Sequence, residues 1–294
     1  MITEIAPAPE RVEPPPVGPR GRRRAWDEAP RWQIYVPLSI YLVFTLIPFY
    51  WILLFALRPA GSTSLVSWPM TFEHFEKVWN ERAFGTYFQN SVLVGVSTLV
   101  MTTLVALAGG YALARFDFRI KRTFMLALLC TQFVPGALLL VPLFEIFANL
   151  RMINSLSSVV IAETVFQLPL SMILISGFIR NVPYSLEEAA WVDGCNRFTA
   201  FRIVVLPLLR PGLIAVGSFA FVHAWNHFLF ALMFLSDQGK QTIPVGLNTL
   251  MSADSVDLGA LAAGGIIAAV PVVIVFAFIQ KWLITGFSAG AVKG

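Results

Sequence analysis

The sequence has 294 residues, 57% of them hydrophobic and 13% charged, whereas an ordinary soluble domain carries roughly 25% charged residues. That balance excludes a water-soluble globular protein for most of the chain, and two cysteines exclude a disulfide scaffold or a multi-cysteine metal cluster. The formal charge of +4 is unevenly placed: Arg11, Arg20, Arg22, Arg23, Arg24 and Arg31 all precede the first apolar run, a pattern of membrane orientation rather than of nucleic-acid binding.

In chain order, residues 1–31 hold seven prolines and almost nothing to bury, the composition of a disordered cytoplasmic tail. The apolar run at 34–57 is too long for the h-region of a secretory signal and has no small-x-small cleavage site after it, so it reads as a retained span. Further runs lie at 91–114, 123–147, 158–179, 213–235 and 261–284, and each meets the ~20 residues that a helix needs to cross a hydrocarbon core of about 30 Å. Pro37, Pro48, Pro135, Pro142, Pro169 and Pro271 fall inside these runs and predict kinks, which a bundle tolerates because neighbouring helices satisfy the freed carbonyls. Lys and Arg of the alternate non-spanning segments divide 16 to 5, which places both termini and the second and fourth loops in the cytoplasm. The 58–90 loop, with Trp68 and Trp79, then lies on the outer membrane face. The expected fold is an all-α integral membrane protein of six transmembrane helices, the tail at 1–31 preceding a membrane domain at 32–294.

The loop at 181–212 is longer than a helix connection needs and too polar for lipid, and such loops are usually functional. Pro183 bars helix before it, Ser185 can serve as N-cap, and Glu188 three residues later completes a capping box, so a short helix is expected from Leu186. Gly194 is placed as the left-handed residue that ends it, and Asn196 can cap a second short helix ending before Pro207. Leu186, Ala189 and Ala190 make a small-residue face, while Phe198, Phe201 and Val205 make an aromatic one. The pair can insert into a partner's groove or pack only on its own bundle.

Glu188-Ala189-Ala190, three residues, Gly194, then Leu206-Pro207 resembles the EAA loop of binding-protein-dependent ABC importer permeases, in which Glu-Ala-Ala-x3-Gly-x9-Ile-x-Leu-Pro docks the ATPase subunit. Val204 stands at the isoleucine position. Tyr111-Ala-Leu-Ala-Arg115-Phe116, Asn154-Ser-Leu156, Pro183, Asp193 and Trp225-Asn226-x-Phe228 are similar to the carbohydrate-uptake branch of maltose and glycerol-phosphate type, although His227 occupies a position where that branch usually has an acidic residue. The resemblance implies a permease subunit in a bacterial cell membrane whose coupling element between the fourth and fifth spans comprises Leu186, Glu187, Glu188, Ala189, Ala190, Asp193, Gly194, Phe198, Leu206 and Pro207. Glu187, Glu188 and Asp193 would give that element an acidic side for basic residues of the partner. It also implies a homologous second permease subunit, two ATPase subunits that bind ATP and Mg, an external solute-binding protein, and no cofactor or nucleic acid on this chain. The chain has no Gly-x4-Gly-Lys-Ser/Thr phosphate cradle.

Ionisable residues within spans are costly and mark function. Glu163, Gln167 and Ser171 recur at i, i+4, i+8 on the fourth span, and His223, Asn226 and His227 form a stripe on the fifth. Glu163, Gln167, His223 and Asn226 are candidates for a translocation pathway, with Phe221, Trp225 and Phe228 as apolar surface for a sugar; interhelical hydrogen bonding is the other use of such stripes. Glu145 is expected at the outer interface. A secondary transporter would show paired intramembrane carboxylates or an inverted repeat, and a membrane enzyme a catalytic cluster around His74; neither pattern is evident.

Overall fold

A computed structural model describes residues 30–61, 68–81, 83–251 and 256–291, with Arg31 and 282–291 followed in backbone only. The proline-rich tail expected over 1–31 lies, but for its last two residues, outside the described residues. Every regular element among the described residues is helical. The order is α1 (Arg31–Leu57), α2 (Glu73–Glu76) with a π turn over Lys77–Glu81, α3 (Phe84–Arg115), α4 (Lys121–Thr131), a 3₁₀ turn (Gly136–Leu139) leading into α5 (Leu140–Asn149), and α6 (Leu156–Arg180). There follow α7 (Ser185–Val192), α8 (Arg197–Ala200) with a π turn over Phe201–Val205, α9 (Leu206–Leu208), α10 (Arg210–Asn226), α11 (Leu229–Phe234), α12 (Ile243–Met251) and α13 (Leu258–Ala291).

Four of these helices, α1, α3, α6 and α13, are each long and apolar enough to cross a membrane, and counting two bent pairs as one span each raises the number to six. The chain divides into two compact units, Met1–Tyr50 and Trp51–Gly294; the packing described below is that of the second.

Two expected spans are not single helices. In the third, α4 stops at Thr131 and the chain turns by 93° before Gly136–Asn149. Pro135 has no N–H to continue α4, and its ring drives Val134 out of the helical region; Pro135 itself sits at φ −61°, ψ 128°. Pro142 is accommodated because it falls in the first turn of α5, where N–H groups have no intrahelical acceptor. In the fifth, α10 begins at Arg210 and ends at Asn226, His227 takes an extended ψ of 122°, and α11 runs separately. Pro169 and Pro271 remain inside α6 and α13, and α3 begins at Phe84 rather than at Ser91.

Three apolar clusters hold the second unit together. Phe84 and Tyr87 of α3 pack with Phe221 and Trp225 of α10, Ile243 of α12 and Ala263 of α13. Phe147, Val159 and Ala162 pack with Phe230 and Phe234 of α11, and Ala106, Ile175, Ile179, Val205 and Leu209 close the end near the 181–212 loop. Helices α3 and α6 approach closely because Gly110 has no side chain: a Cβ there would lie 2.7 Å from Ile175 Cγ2 and 3.1 Å from the Met172 carbonyl. Van der Waals packing of small residues is the force that holds helices together in lipid. Leu93, Leu104, Leu126, Ile274 and Phe278 are exposed, as side chains that face lipid tails must be.

At the end of α3 remote from the 181–212 loop, Asn90 Nδ2 donates to the carbonyls of Gly239 (3.0 Å) and Gln241 (2.9 Å), and the Ile243 N–H donates to Ser91 Oγ at 2.9 Å. Lys240 Nζ donates to the Asn154 carbonyl at 2.9 Å. The 236–242 segment is thereby pinned to α3 and to the start of α6. Asp257, just before α13, accepts from Lys77 Nζ at 3.0 Å and from the Ala260 N–H at 3.0 Å, and lies 3.6 Å from the buried His74.

Candidate functional site

The 181–212 loop folds into the two short helices its local chemistry predicts, with differences at both outer ends. Helix α7 starts at Ser185, but the expected capping box does not form: no side chain caps it, and the N–H groups of Leu186 and Glu187 bond instead to the carbonyls of Pro183 and Tyr184. Proline at 183 has already started the turn, so Ser185 lies inside the helix rather than at its cap. The other end is as expected. Gly194 has φ +90°, the Cys195 N–H bonds to the Ala190 carbonyl (2.9 Å) and the Gly194 N–H to that of Trp191 (3.0 Å), the paired bonds of a Schellman termination. Asn196 Oδ1 accepts from the Thr199 N–H at 2.8 Å and caps α8. The second helix does not stop before Pro207. It passes through a π turn at Phe201–Val205 and continues as α9 to Leu208, and Pro207 is tolerated at the start of α9, where a missing N–H costs little.

Glu187 does not belong to an acidic outer side. It is 0% exposed: Arg115 Nε donates to its Oε1 at 2.6 Å and Tyr111 Oη to its Oε2 at 2.8 Å. Arg115 Nη2 also donates to the Val182 carbonyl at 2.9 Å, and its guanidinium lies over the Tyr184 ring. The buried carboxylate therefore fastens α7 to the end of α3. The aromatic face is divided in the same way. Phe201 packs edge-on against Tyr111 at 5.0 Å and Val205 is buried, while Phe198 is 72% exposed. Leu186, Glu188, Ala189, Asp193 and Gly194 are exposed, Ala190, Leu206 and Pro207 half-buried. The loop is thus a compact helical knob with one side locked to the bundle and one side free.

The two polar stripes meet. A cavity of about 730 Å³ lies between α6 and α10, walled by Gln167, Ser171, Phe219, His223, Asn226 and His227 among others. Glu163 is not part of that wall. It is fully buried behind it, with His223 Nδ1 at 3.0 Å from Oε2. His227 Nδ1 lies 2.6 Å from Oε1, an ion-pair distance without the alignment of a hydrogen bond. The two imidazoles stack, centroids 5.2 Å apart and planes 17° apart. Asn226 Nδ2 donates back to the Val222 carbonyl at 2.8 Å, which leaves its carbonyl oxygen for the cavity. Phe221 and Trp225 do not supply the apolar surface expected of them: they stack on each other in the core, Phe228 packs beside α11, and Phe219 faces the cavity instead. Both cysteines are free, and Glu145 is exposed. Among the described residues no group of three His, Cys, Asp or Glu is arranged to hold a metal ion. His227, placed on the fifth-span stripe but not among the four pathway candidates, also lines the cavity; the signal is its i, i+4 spacing to His223 opposite the single carboxylate of the fourth span.

Over residues 105–288 the chain matches the family described as binding-protein-dependent transport system inner membrane component. It is 37% identical over 264 residues to the diacetylchitobiose uptake system permease protein DasC of Streptomyces coelicolor, covering 88% of this chain and 95% of that one. It is 30% identical to the trehalose transport system permease protein SugB of Mycobacterium tuberculosis, covering 87% and 95%, and 29% identical to the arabinooligosaccharides transport system permease protein AraQ of Halalkalibacterium halodurans, covering 90% and 96%. Its fold is similar to that of a chain in the crystal structure of a bacterial ABC transporter involved in the import of the acidic polysaccharide alginate, with a TM-score of 0.72 at 20% identity, covering 90% of this chain and 99% of that chain. The family match over residues 105–288 and relatives at 30% identity or more that are covered almost end to end agree: the protein belongs to the inner membrane components of binding-protein-dependent transport systems.

Proposed function

We propose that this chain is the permease subunit of an ATP-driven importer for a sugar or sugar-like solute, and that α7 and α8 receive the closure of a cytoplasmic ATPase and pass it to the bundle. The observation that carries the reading is the contrast between Glu187, locked under the knob by Arg115 and Tyr111, and the exposed Leu186, Glu188, Ala189 and Phe198 around it. A lever needs both a rigid attachment and a free contact surface. Glu188 and Asp193 offer negative charge to basic residues of the ATPase, Phe198 and Leu186 offer apolar contact, and Ala190, Gly194, Leu206 and Pro207 set the shape. The sugars named for the relatives support the solute class, as does a cavity lined by hydrogen-bonding groups and Phe219. In this reading both termini and the 181–212 loop are cytoplasmic, ATP and Mg bind to the two ATPase subunits, and a homologous permease and an external solute-binding protein complete the assembly.

Cys195, half-buried between α7 and α8, tests the reading in a Cys130→Ser background. A membrane-impermeant thiol reagent is expected to label it in inverted vesicles lacking the ATPase, to be blocked when the ATPase is bound, and to fail in intact cells. Labelling in intact cells overturns the orientation; unchanged labelling with the ATPase bound overturns the docking.

A further inference from the structure

A carboxylate sealed inside a membrane bundle is costly unless it is paired, and Glu163 is paired with two imidazoles that themselves form part of a cavity wall. We propose that Glu163 is a positioning residue that fixes His223 as a hydrogen-bond acceptor on the cavity wall, read by a hydroxyl group of a neutral, hydroxyl-rich solute. The inference rests on the cavity's being part of the solute path.

An ionised carboxylate only accepts hydrogen bonds, so His223, whose Nδ1 is hydrogen-bonded to Glu163, carries a proton there. In a neutral ring the proton on Nδ1 leaves Nε2 as an acceptor, and the partner of one nitrogen thus sets the chemistry of the other. With Nδ1 on the buried carboxylate, the rest of the His223 ring is left to the cavity that it lines, and the side chain is 48% exposed. His227 lies at ion-pair distance from the other carboxylate oxygen and stacks on His223, backing that ring. Asn226 on the same wall has its N–H₂ turned back to the Val222 carbonyl, so its oxygen is a second acceptor. A wall of this kind favours solute O–H donors and disfavours a carboxylate or sulfate group, which brings acceptors only. Phe219 and Leu170 on the same wall suit the apolar C–H face of a sugar ring.

The full chain in lipid nanodiscs, labelled with ¹⁵N-histidine, tests this directly. The three histidines are assigned by signal loss in His74→Asn, His223→Asn and His227→Asn. The neutral form of His223 is expected to carry its proton on Nδ1 rather than on Nε2. Glu163→Leu, which leaves no acceptor, should erase that bias and Glu163→Gln, which retains one acceptor oxygen, should keep it in part, a signature that a merely structural role for Glu163 would not produce. Millimolar diacetylchitobiose or trehalose is expected to shift the His223 Nε2 resonance, and sodium sulfate to leave it unmoved. Protonated Nε2 with bare Nδ1, or a tautomer indifferent to Glu163→Leu in a variant that still inserts, overturns the positioning. Response to sulfate but to neither sugar, or to nothing, overturns the recognition and leaves the ATPase reading, tested at Cys195, standing on its own.

Discussion

Glu187→Ala should release the 181–212 loop from α3. The wild-type side chains of Arg115 and Glu187 are 9% and 0% exposed, and removing one partner of a buried ion pair costs about 3–5 kcal/mol because the other charge is left without compensation. Arg115 keeps the Val182 carbonyl and the Tyr184 ring, which puts the cost near the lower end, about 3 kcal/mol. The Tyr111 hydroxyl also loses its acceptor, adding about 1 kcal/mol. A total near 4 kcal/mol is roughly three decades of amide hydrogen-exchange protection, to be read over residues 185–195 of the nanodisc-embedded protein by mass spectrometry. Protection can fall only as far as that of an open chain, so a loop less stable than this reads as fully open. Glu187→Gln retains an acceptor for Tyr111 but not the charge that compensates Arg115, so it should recover only about 1 kcal/mol and still cost about 3 kcal/mol. In a double-mutant cycle with Arg115→Met the coupling should be about 2 kcal/mol, since the double variant leaves no orphaned charge. A Glu187→Ala effect of under about 1 kcal/mol, or additive single effects, refutes the anchor.

Gly194→Val has room for its side chain, with nothing within 4 Å, so its cost is the backbone's, about 1–2 kcal/mol for leaving glycine's left-handed region; it should insert at normal levels yet lose ATPase stimulation by the binding protein, while Gly194→Asn retains it. Gly110→Ala should destabilise the bundle more than Gly109→Ala, because Ile175 and the Met172 carbonyl cannot move aside whereas the flexible end of the Met172 side chain facing Gly109 can; thermal unfolding in detergent would show the reverse order if α3 and α6 were not held by close approach. Burial of Asp257 opposes its ionisation, but the Ala260 N–H, Lys77 and His74 outweigh this and hold its carboxyl below the usual 3.8. Its contribution is therefore present above the unfolded value and lost as pH falls through the lowered one. Asp257→Asn should lower thermal stability at neutral pH, with the difference from wild type vanishing in strong acid; a difference that persists there refutes the pairing.

What the sequence made legible is what depends on neighbours along the chain. The Gly194 termination and the Asn196 cap involve partners within five residues, so residue types alone carry the signal. Glu187 and Glu188 are indistinguishable in composition and only about 100° apart around a helix, yet one is sealed and the other exposed, because the deciding partners, Arg115 and Tyr111, are brought in by α3 from far upstream. Pro135 announces a break, but a proline does not state its angle; the 93° turn follows from where α5 packs against α11. The polar stripes were visible by their spacing, while the division between Glu163 behind the wall and Gln167 and Asn226 on it depends on how α6 and α10 are rotated against each other. Phe219, rather than Phe221 or Trp225, meets the cavity for the same reason.

Helix α3 is tied at both ends. Its 32 residues span about 48 Å at 1.5 Å per residue; Tyr111 and Arg115 at one end hold Glu187, and Asn90 and Ser91 at the other hold the carbonyls of Gly239 and Gln241 and the N–H of Ile243. A continuous helix without an internal proline transmits a push or a twist with little loss, so the two attachments share one mechanical degree of freedom. Free-energy coupling of that kind runs equally in both directions. If a binding event displaces the 236–243 segment by moving α3, it also moves the residues that hold Glu187, and a grip on α7 that moves α3 then bears on that remote segment by the same factor.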